Sequence, residues 1–435
     1  MTQARPLRVL FDATRLQARA GRSTPTGIDR IDLAYLRALH GMADVELYPV
    51  CIDAFGLHRL GDAEQAALLA PAPCTRDDGD DDALWHWLHA PPGTPRPRQR
   101  ARPEAAQTTP AAWLRAPLRR RAAGQHLRTL LAPTAGRGCL YLNTSHGQSY
   151  RPALARWLRA EQLASVFFVH DLLPIVYPQF NRRREPARHS ARLRTISAHA
   201  RHVIVNSEYT QRSLRAYLEI AGLRVPPITV LQPGIDDAFR RDSATAQATT
   251  ALPYFVMLGT IEPRKNHALL LRLWPRLCET GIAPRLVIVG RRGWHNREVF
   301  DLLDHAPWLR EHVIEWSGLG DDAVRALLRG ARALLAPSHA EGFHLPVAEA
   351  LALGTPVLAS DIPAHREIAA PHAELLGPAD ADAWRMAIRD YAADVSPRRH
   401  RARERLHHHL APRWPAHLQQ MRSLLADAHS NIDAF

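Results

Sequence analysis

Lys265, in the stretch IEPRKNHALL, is the only lysine in a chain of 435 residues that carries 56 Lys plus Arg. Arginine serves at every other cationic position, so a retained lysine marks a place where a guanidinium does not serve. An ammonium is a compact, strongly hydrated charge on a flexible stem, whereas a guanidinium is a rigid planar fork. Lys265 follows Arg264 in VMLGTIEPRKNHALLL, which reads as strand, loop and helix, with Gly259 letting the chain turn. Two cations at a strand-to-helix loop suit a phosphate. The plainer alternative is a surface lysine at a helix start.

A second stretch, LLAPSHAEGFHLPVAEALALGTPVLAS (334–360), reads as strand, loop, helix, turn and strand. Pro346 suits an early helical position and Gly354 the helix end. Glu341 falls in the loop before the helix and Glu349 eight residues on, inside it. The backbone N–H groups of Gly342, Phe343, His344 and Leu345 would point out of the helix start, which attracts anions. Two carboxylates flanking such a cradle are suited to hydroxyls, one set on a sugar and one on a ribose. Taken alone, the pair could equally be a cap and a helix-surface residue.

These loops need a scaffold. Short apolar runs alternate with helix-period stretches almost throughout. In the first half they are RVLF (8–11), VELYPVCI (45–52), CLYLN (139–143), ASVFFVH (164–170), HVIVN (202–206) and ITVL (228–231). In the second half they are YFVML (254–258), RLVIVG (285–290), VIEWSG (313–318), ALLAP (333–337) and PVLAS (356–360). Continuous β-branched runs separated by helices predict parallel sheets buried on both faces, and their number predicts two sheets. The fold class is α/β, with residues 1–245 and 246–412 as two doubly wound domains and 413–435 as a terminal helix. In such sheets ligands bind beyond the carboxyl ends of the strands, where both stretches fall.

Hydrophobic content of 46% and charged content of 23% are those of an ordinary globular protein. The net charge of +13 accompanies abundant Arg, Ala and Pro, a coding bias, and no aromatic–basic interleaving points to nucleic acid. Cys51, Cys74, Cys139 and Cys278 lie far apart, without metal or disulfide spacing. With no signal-peptide pattern and no long apolar run, a cytoplasmic location is expected. Residues 71–126 look like a mobile Pro- and Arg-rich insertion. Between Arg96 and Arg128 it holds nine arginines against one acid, Glu104. It ends in a stretch that reads as a basic helix able to touch anionic lipid on the inner membrane face, or as a solvated loop.

Together EGFHLPVAEA, GTIEPRKN, VIVGRRGW, APS, LQPGIDDAF and VHDLLPIVYPQF resemble, in kind and order, the retaining GT-B glycosyltransferases of family GT4. The resemblance is strong over roughly 160–370 and is closest to O-antigen and capsule mannosyl- and rhamnosyltransferases. It implies two Rossmann-like domains facing across a cleft. It implies transfer of a hexose from a nucleoside diphosphate sugar, GDP-mannose first, to a glycan or lipid-linked oligosaccharide. Rhamnose or glucose on a GDP, dTDP or UDP carrier is the alternative. No metal or other cofactor is expected. Arg264 and Lys265 would neutralise the donor diphosphate, Glu341 would bind the transferred sugar and Glu349 the ribose. Residues Gly342 to Leu345 would supply backbone donors. His170 would face the sugar from the first domain, and Gly27 and Arg30 of TGIDR would border the diphosphate. Asp12 could touch the acceptor or serve only its own turn. His344 replaces the usual glycine of EGFGLP, where a side chain would crowd the sugar or bond to it. Thr260 replaces a frequent arginine, and Gln232-Pro233-Gly234 stands where PNG is usual. These departures leave open a protein that binds a nucleotide sugar without transferring it.

Overall fold

The computed structural model describes residues 6–20, 25–53, 56–70, 78–97, 99, 139–240, 250–279 and 283–430. The first sheet comprises β1 (Leu7–Asp12), β2 (Val45–Asp53), β3 (Gly56–Arg59), β4 (Cys139–Asn143), β5 (Ala164–Val169), β6 (Ala200–Val205) and β7 (Ile228–Val230). The second comprises β8 (Tyr254–Leu258), β9 (Arg285–Val289), β10 (Val313–Trp316), β11 (Leu334–Ala336), β12 (Val357–Ser360) and β13 (Glu374–Leu376). Their orders are β3-β2-β1-β4-β5-β6-β7 and β10-β9-β8-β11-β12-β13. Every pairing is parallel except that of β2 with β3. Each sheet therefore reverses direction beside its first strand, between β1 and β4 and between β8 and β11. That reversal opens a crevice at the carboxyl ends.

The buried runs explain the layering. Every residue of β4 and β8 is buried, because helices cover both faces of the sheet. The helix Gly27–Gly41 starts on a capping box in which Thr26 and Asp29 satisfy each other's backbone N–H. It buries Ile31, Tyr35, Leu36 and Leu39 against the first sheet. The terminal helix Trp414–Ser430 returns to that same face, burying Met421 and Leu425 there. His417 on this helix bonds to Tyr35 Oη and to Gln232 O, each at 2.8 Å.

The expectation of a mobile insertion needs correction. Residues 78–97 are built into the second domain. The helix Asp78–His89 sends Leu84, Trp87 and Leu88 into the core beneath the second sheet. Arg285 of β9 lies 4.6 Å from the Trp87 ring centroid and donates to the carbonyls of Trp87 and Pro91. Arg96 donates to Val313 O at 2.7 Å, and Gln99 Nε2 to Ser317 O at 2.7 Å. A fully buried guanidinium with carbonyl partners and an aromatic face is a structural anchor. The basic stretch beyond, through 126, and the expected boundary near 245 lie outside the described residues. Cys51 and Cys139 are buried free thiols and Cys278 is half-buried; Cys74 is outside the described residues. Among the described residues no helix is long and apolar enough to cross a membrane.

Candidate active site

Two loops meet at the reversal point of the second sheet. One leaves β8 as 259–266, the other leaves β11 as 337–344. They are tied by the Asn266 carboxamide, which donates to Pro337 O at 3.1 Å and Pro378 O at 3.0 Å, and by His339 N, which donates to Arg264 O at 2.8 Å. Gly259 has φ +131°, a conformation that side chains disfavour, and a Cβ there would meet Lys265 Cε at 3.1 Å. The missing side chain is the space that the lysine stem fills.

Lys265 is only 7% exposed. Its Nζ lies 2.7 Å from Glu341 Oε1 and 2.9 Å from His344 Nε2. Arg264 pairs with Glu341 and Glu262 and donates to Ala340 O at 2.9 Å. Burial alone would raise the Glu341 pKa. Arg264 and Lys265 outweigh it and hold the carboxyl well below the usual range. Burial pulls the Lys265 ammonium below its ordinary value, with Glu341 opposing. Two cations thus face two carboxylates in a nearly dry cluster, and Glu341 is the counter-ion of both cations.

His344 caps the helix Leu345–Leu353 from a left-handed conformation, φ 83° and ψ 67°. Its Nδ1 lies 2.8 Å from His365 Nε2, and His365 Nδ1 lies 2.9 Å from Ser360 O. Both ring nitrogens of His344 are engaged within the protein, Nε2 with Lys265 and Nδ1 with His365. Phe343 is a core side chain beneath the second sheet, leaving only its main chain for a ligand.

The first domain supplies the opposite wall. His170 follows β5, stacks on Phe168 with centroids 4.5 Å apart and places Nε2 2.7 Å from Thr144 O. A carbonyl only accepts, so the proton sits on Nε2. Burial holds the ring neutral, with its pKa down to about 4. A Cβ at Gly342 would lie 2.5 Å from His170 O, so the two loops touch across the cleft. A Cβ at Gly27 would meet Leu345 Cδ1 at 3.2 Å. Arg30 pairs with Asp321 and lies 3.6 Å from Glu349, whose carboxyl is pushed up by burial against the pull of Arg30. Asp12 accepts from Thr14 N, Tyr141 Oη and Asn143 Nδ2 at 3.0, 2.7 and 2.6 Å, which makes it the lock of its own turn.

His170, Arg264, Lys265, Glu341, Gly259, Gly342, His344 and Leu345 are thus brought together around one crevice, with Gly27, Arg30 and Glu349 beside it. Sequence reasoning missed His365, Glu262 and Ser207, whose hydroxyl donates to Gly342 O at 2.9 Å. Glu262 sits two residues from Arg264 and was in plain view. His365 and Ser207 enter only through tertiary contacts.

Two family models match. Glycosyl transferases group 1 covers residues 239–408 and Glycosyltransferase Family 4 covers 68–239. The serotype-specific mannosyltransferase WbdA of Escherichia coli is 32% identical over 250 residues, covering 54% of this chain and 31% of that protein. The O-antigen chain mannosyltransferase B of Escherichia coli is 34% identical over 132 residues, 30% of this chain and 34% of that protein. The matches thus span about a third of either relative's length. Among solved structures, sucrose-phosphate synthase of Thermosynechococcus elongatus superposes with a TM-score of 0.60 at 18% identity, covering 98% of this chain and 99% of that one. Anabaena HepE in complex with UDP and glucose gives 0.58 at 14% identity, covering 97% and 100%. These two likenesses concern the fold.

Proposed function

This chain belongs to glycosyltransferase family 4 and has the GT-B fold, and from that premise we propose that it transfers a hexose from a nucleoside diphosphate sugar to a hydroxyl of a growing surface glycan. The observation that carries the reading is the buried Arg264–Lys265–Glu341 cluster at the reversal point of the second sheet, opposite His170. A diphosphate entering here takes over from Glu341 as partner of the two cations. The freed carboxylate then accepts hydrogen bonds from sugar hydroxyls, and Glu349 does the same for the ribose. As the bond to the leaving diphosphate breaks, fixed positive charge and the main-chain N–H groups of 342–345 stabilise the charge that develops.

We favour retention by a front-face path, in which a donor phosphate oxygen takes the acceptor proton and no covalent enzyme intermediate forms. Arg264 and Lys265 supply the charge that a divalent ion supplies in other transferases. Two mannosyltransferases among the relatives favour GDP-mannose as donor. A lipid-linked acceptor would give the basic stretch 96–128 an anionic surface to meet at the inner membrane face.

The test is a thermal-shift panel of GDP-mannose, dTDP-rhamnose, UDP-glucose and the free nucleotides, followed by transfer assays with the stabilising donor. Selective stabilisation by GDP-mannose of about 3 kcal/mol at a hundredfold excess over Kd is expected. Equal indifference to every nucleotide sugar contradicts the reading.

A further inference from the structure

Lys265 does not stand alone: its ammonium touches one end of a run of hydrogen bonds, Lys265 Nζ to His344 Nε2, His344 Nδ1 to His365 Nε2 and His365 Nδ1 to Ser360 O, at 2.9, 2.8 and 2.9 Å. The direction of every bond follows from the last. The Ser360 carbonyl can only accept, so His365 carries its proton on Nδ1 and offers a lone pair at Nε2. That lone pair requires the His344 proton on Nδ1, which leaves the His344 Nε2 lone pair facing the ammonium. A proton added to either ring breaks the run, because each Nε2 would then present a donor to a donor.

We propose that His344 and His365 are positioning residues, a pair of neutral imidazoles locked in one tautomer that fixes the direction of the Lys265 ammonium. His344 takes one N–H of the ammonium, and Glu341 Oε1, 2.7 Å away, pairs with the head as its counter-ion. The bond to His344 fixes the direction of that N–H and confines the other two to the cone around it. One of those two is aimed at a phosphate oxygen, so the proposal rests on the diphosphate reading of this site. Glu341, Arg264, Lys265 and His365 are the charged and titratable groups around the His344 ring, and its burial favours the neutral form. The backbone supports the assignment independently. His344 is held at φ 83°, where glycine would sit without strain. A strained non-glycine residue at a cleft points to a use for its side chain, and here the side chain is spent on the lysine.

The single lysine makes the test direct. Protein grown with 15Nζ-lysine shows one ammonium resonance, and 15N-histidine reports the tautomers. The Nδ1–H form is expected for both His344 and His365 near pH 7. His365→Ala and His344→Gly should each speed exchange of the lysine protons by about tenfold or more. His344→Gly also relieves the backbone, so it guards against loss of folding. With the donor used by the wild type, both variants should lose about tenfold in kcat while KM stays within about twofold. An Nε2–H tautomer at either ring, or lysine exchange unchanged in both variants, overturns the proposal. If the wild type transfers nothing from any donor, the functional reading fails, while exchange and tautomer still decide the relay.

Discussion

The hydroxyl of Ser207 in the first domain donates to the carbonyl of Gly342 in the second at 2.9 Å. Main chain thus meets main chain across the cleft, because a Cβ on Gly342 would lie 2.5 Å from His170 O and 2.8 Å from Asp171 Cβ. Nearby, the Glu367 carboxylate accepts from Glu208 N and Tyr209 N at 2.7 and 2.9 Å, capping a first-domain helix from the second domain. Closure is a designed fit at this one point. Gly342→Ala should hold the domains apart, lowering kcat/KM by about a hundredfold. Small-angle scattering checks it through a larger radius of gyration.

Lys265→Arg is the conservative substitution that should fail. The stem lies against Gly259, and the head is enclosed by Glu341 and His344. A planar fork has no room to turn there. Transfer should fall by about a hundredfold or more, as for loss of a fixed transition-state charge. A steady-state assay beside a melting curve separates this from unfolding.

Glu341→Gln should destabilise the protein and make it more responsive to anions. Removing one partner of a buried ion pair leaves the others uncompensated, at about 3–5 kcal/mol. Here the uncompensated groups are Arg264 and Lys265. A nucleoside diphosphate replaces the missing negative charge, so GDP should raise the melting temperature of the variant more than that of the wild type. Differential scanning fluorimetry with and without GDP measures both effects.

Much of this site was legible because its parts are local. Gly259, Arg264 and Lys265 lie within seven positions, Glu341 to Glu349 within nine, and the strands before them are unbroken buried runs. β3 and β13 were not read, since Gly56–Arg59 and Glu374–Leu376 are short runs of four and three residues. The helix Asp78–His89 was hidden by its acidic start. Its three core residues pack into the second domain's core, where Trp87 meets Arg285, 198 positions away. His365 had no signal either, because it lies in the helix Pro363–Ala369 and its partner His344 is 21 positions away on the loop after β11. What reasoning from pattern cannot supply is the pairing of residues that tertiary packing alone brings together.

Acid should weaken the fold through its buried neutral histidines. His170, His365 and His417 are buried and neutral, each held down to about 4 chiefly by burial. In the unfolded chain they titrate near the ordinary value of about 6.5. Between those values the unfolded state binds more protons, so the stability these three histidines contribute falls as pH drops from about 6.5 to about 4. Each histidine contributes a slope of up to about 1.4 kcal/mol per pH unit. Denaturant midpoints measured across that range check the sign, and substituting His417 by Gln should flatten the slope.

The central claim is that one buried ammonium grips the diphosphate, and the lone lysine lets it be watched without interference. Protein labelled with 15Nζ-lysine should show a single resonance that shifts and saturates as GDP or UDP is added, and that ignores the corresponding nucleoside. A lysine signal that stays in place through saturating additions of both diphosphates would contradict the account.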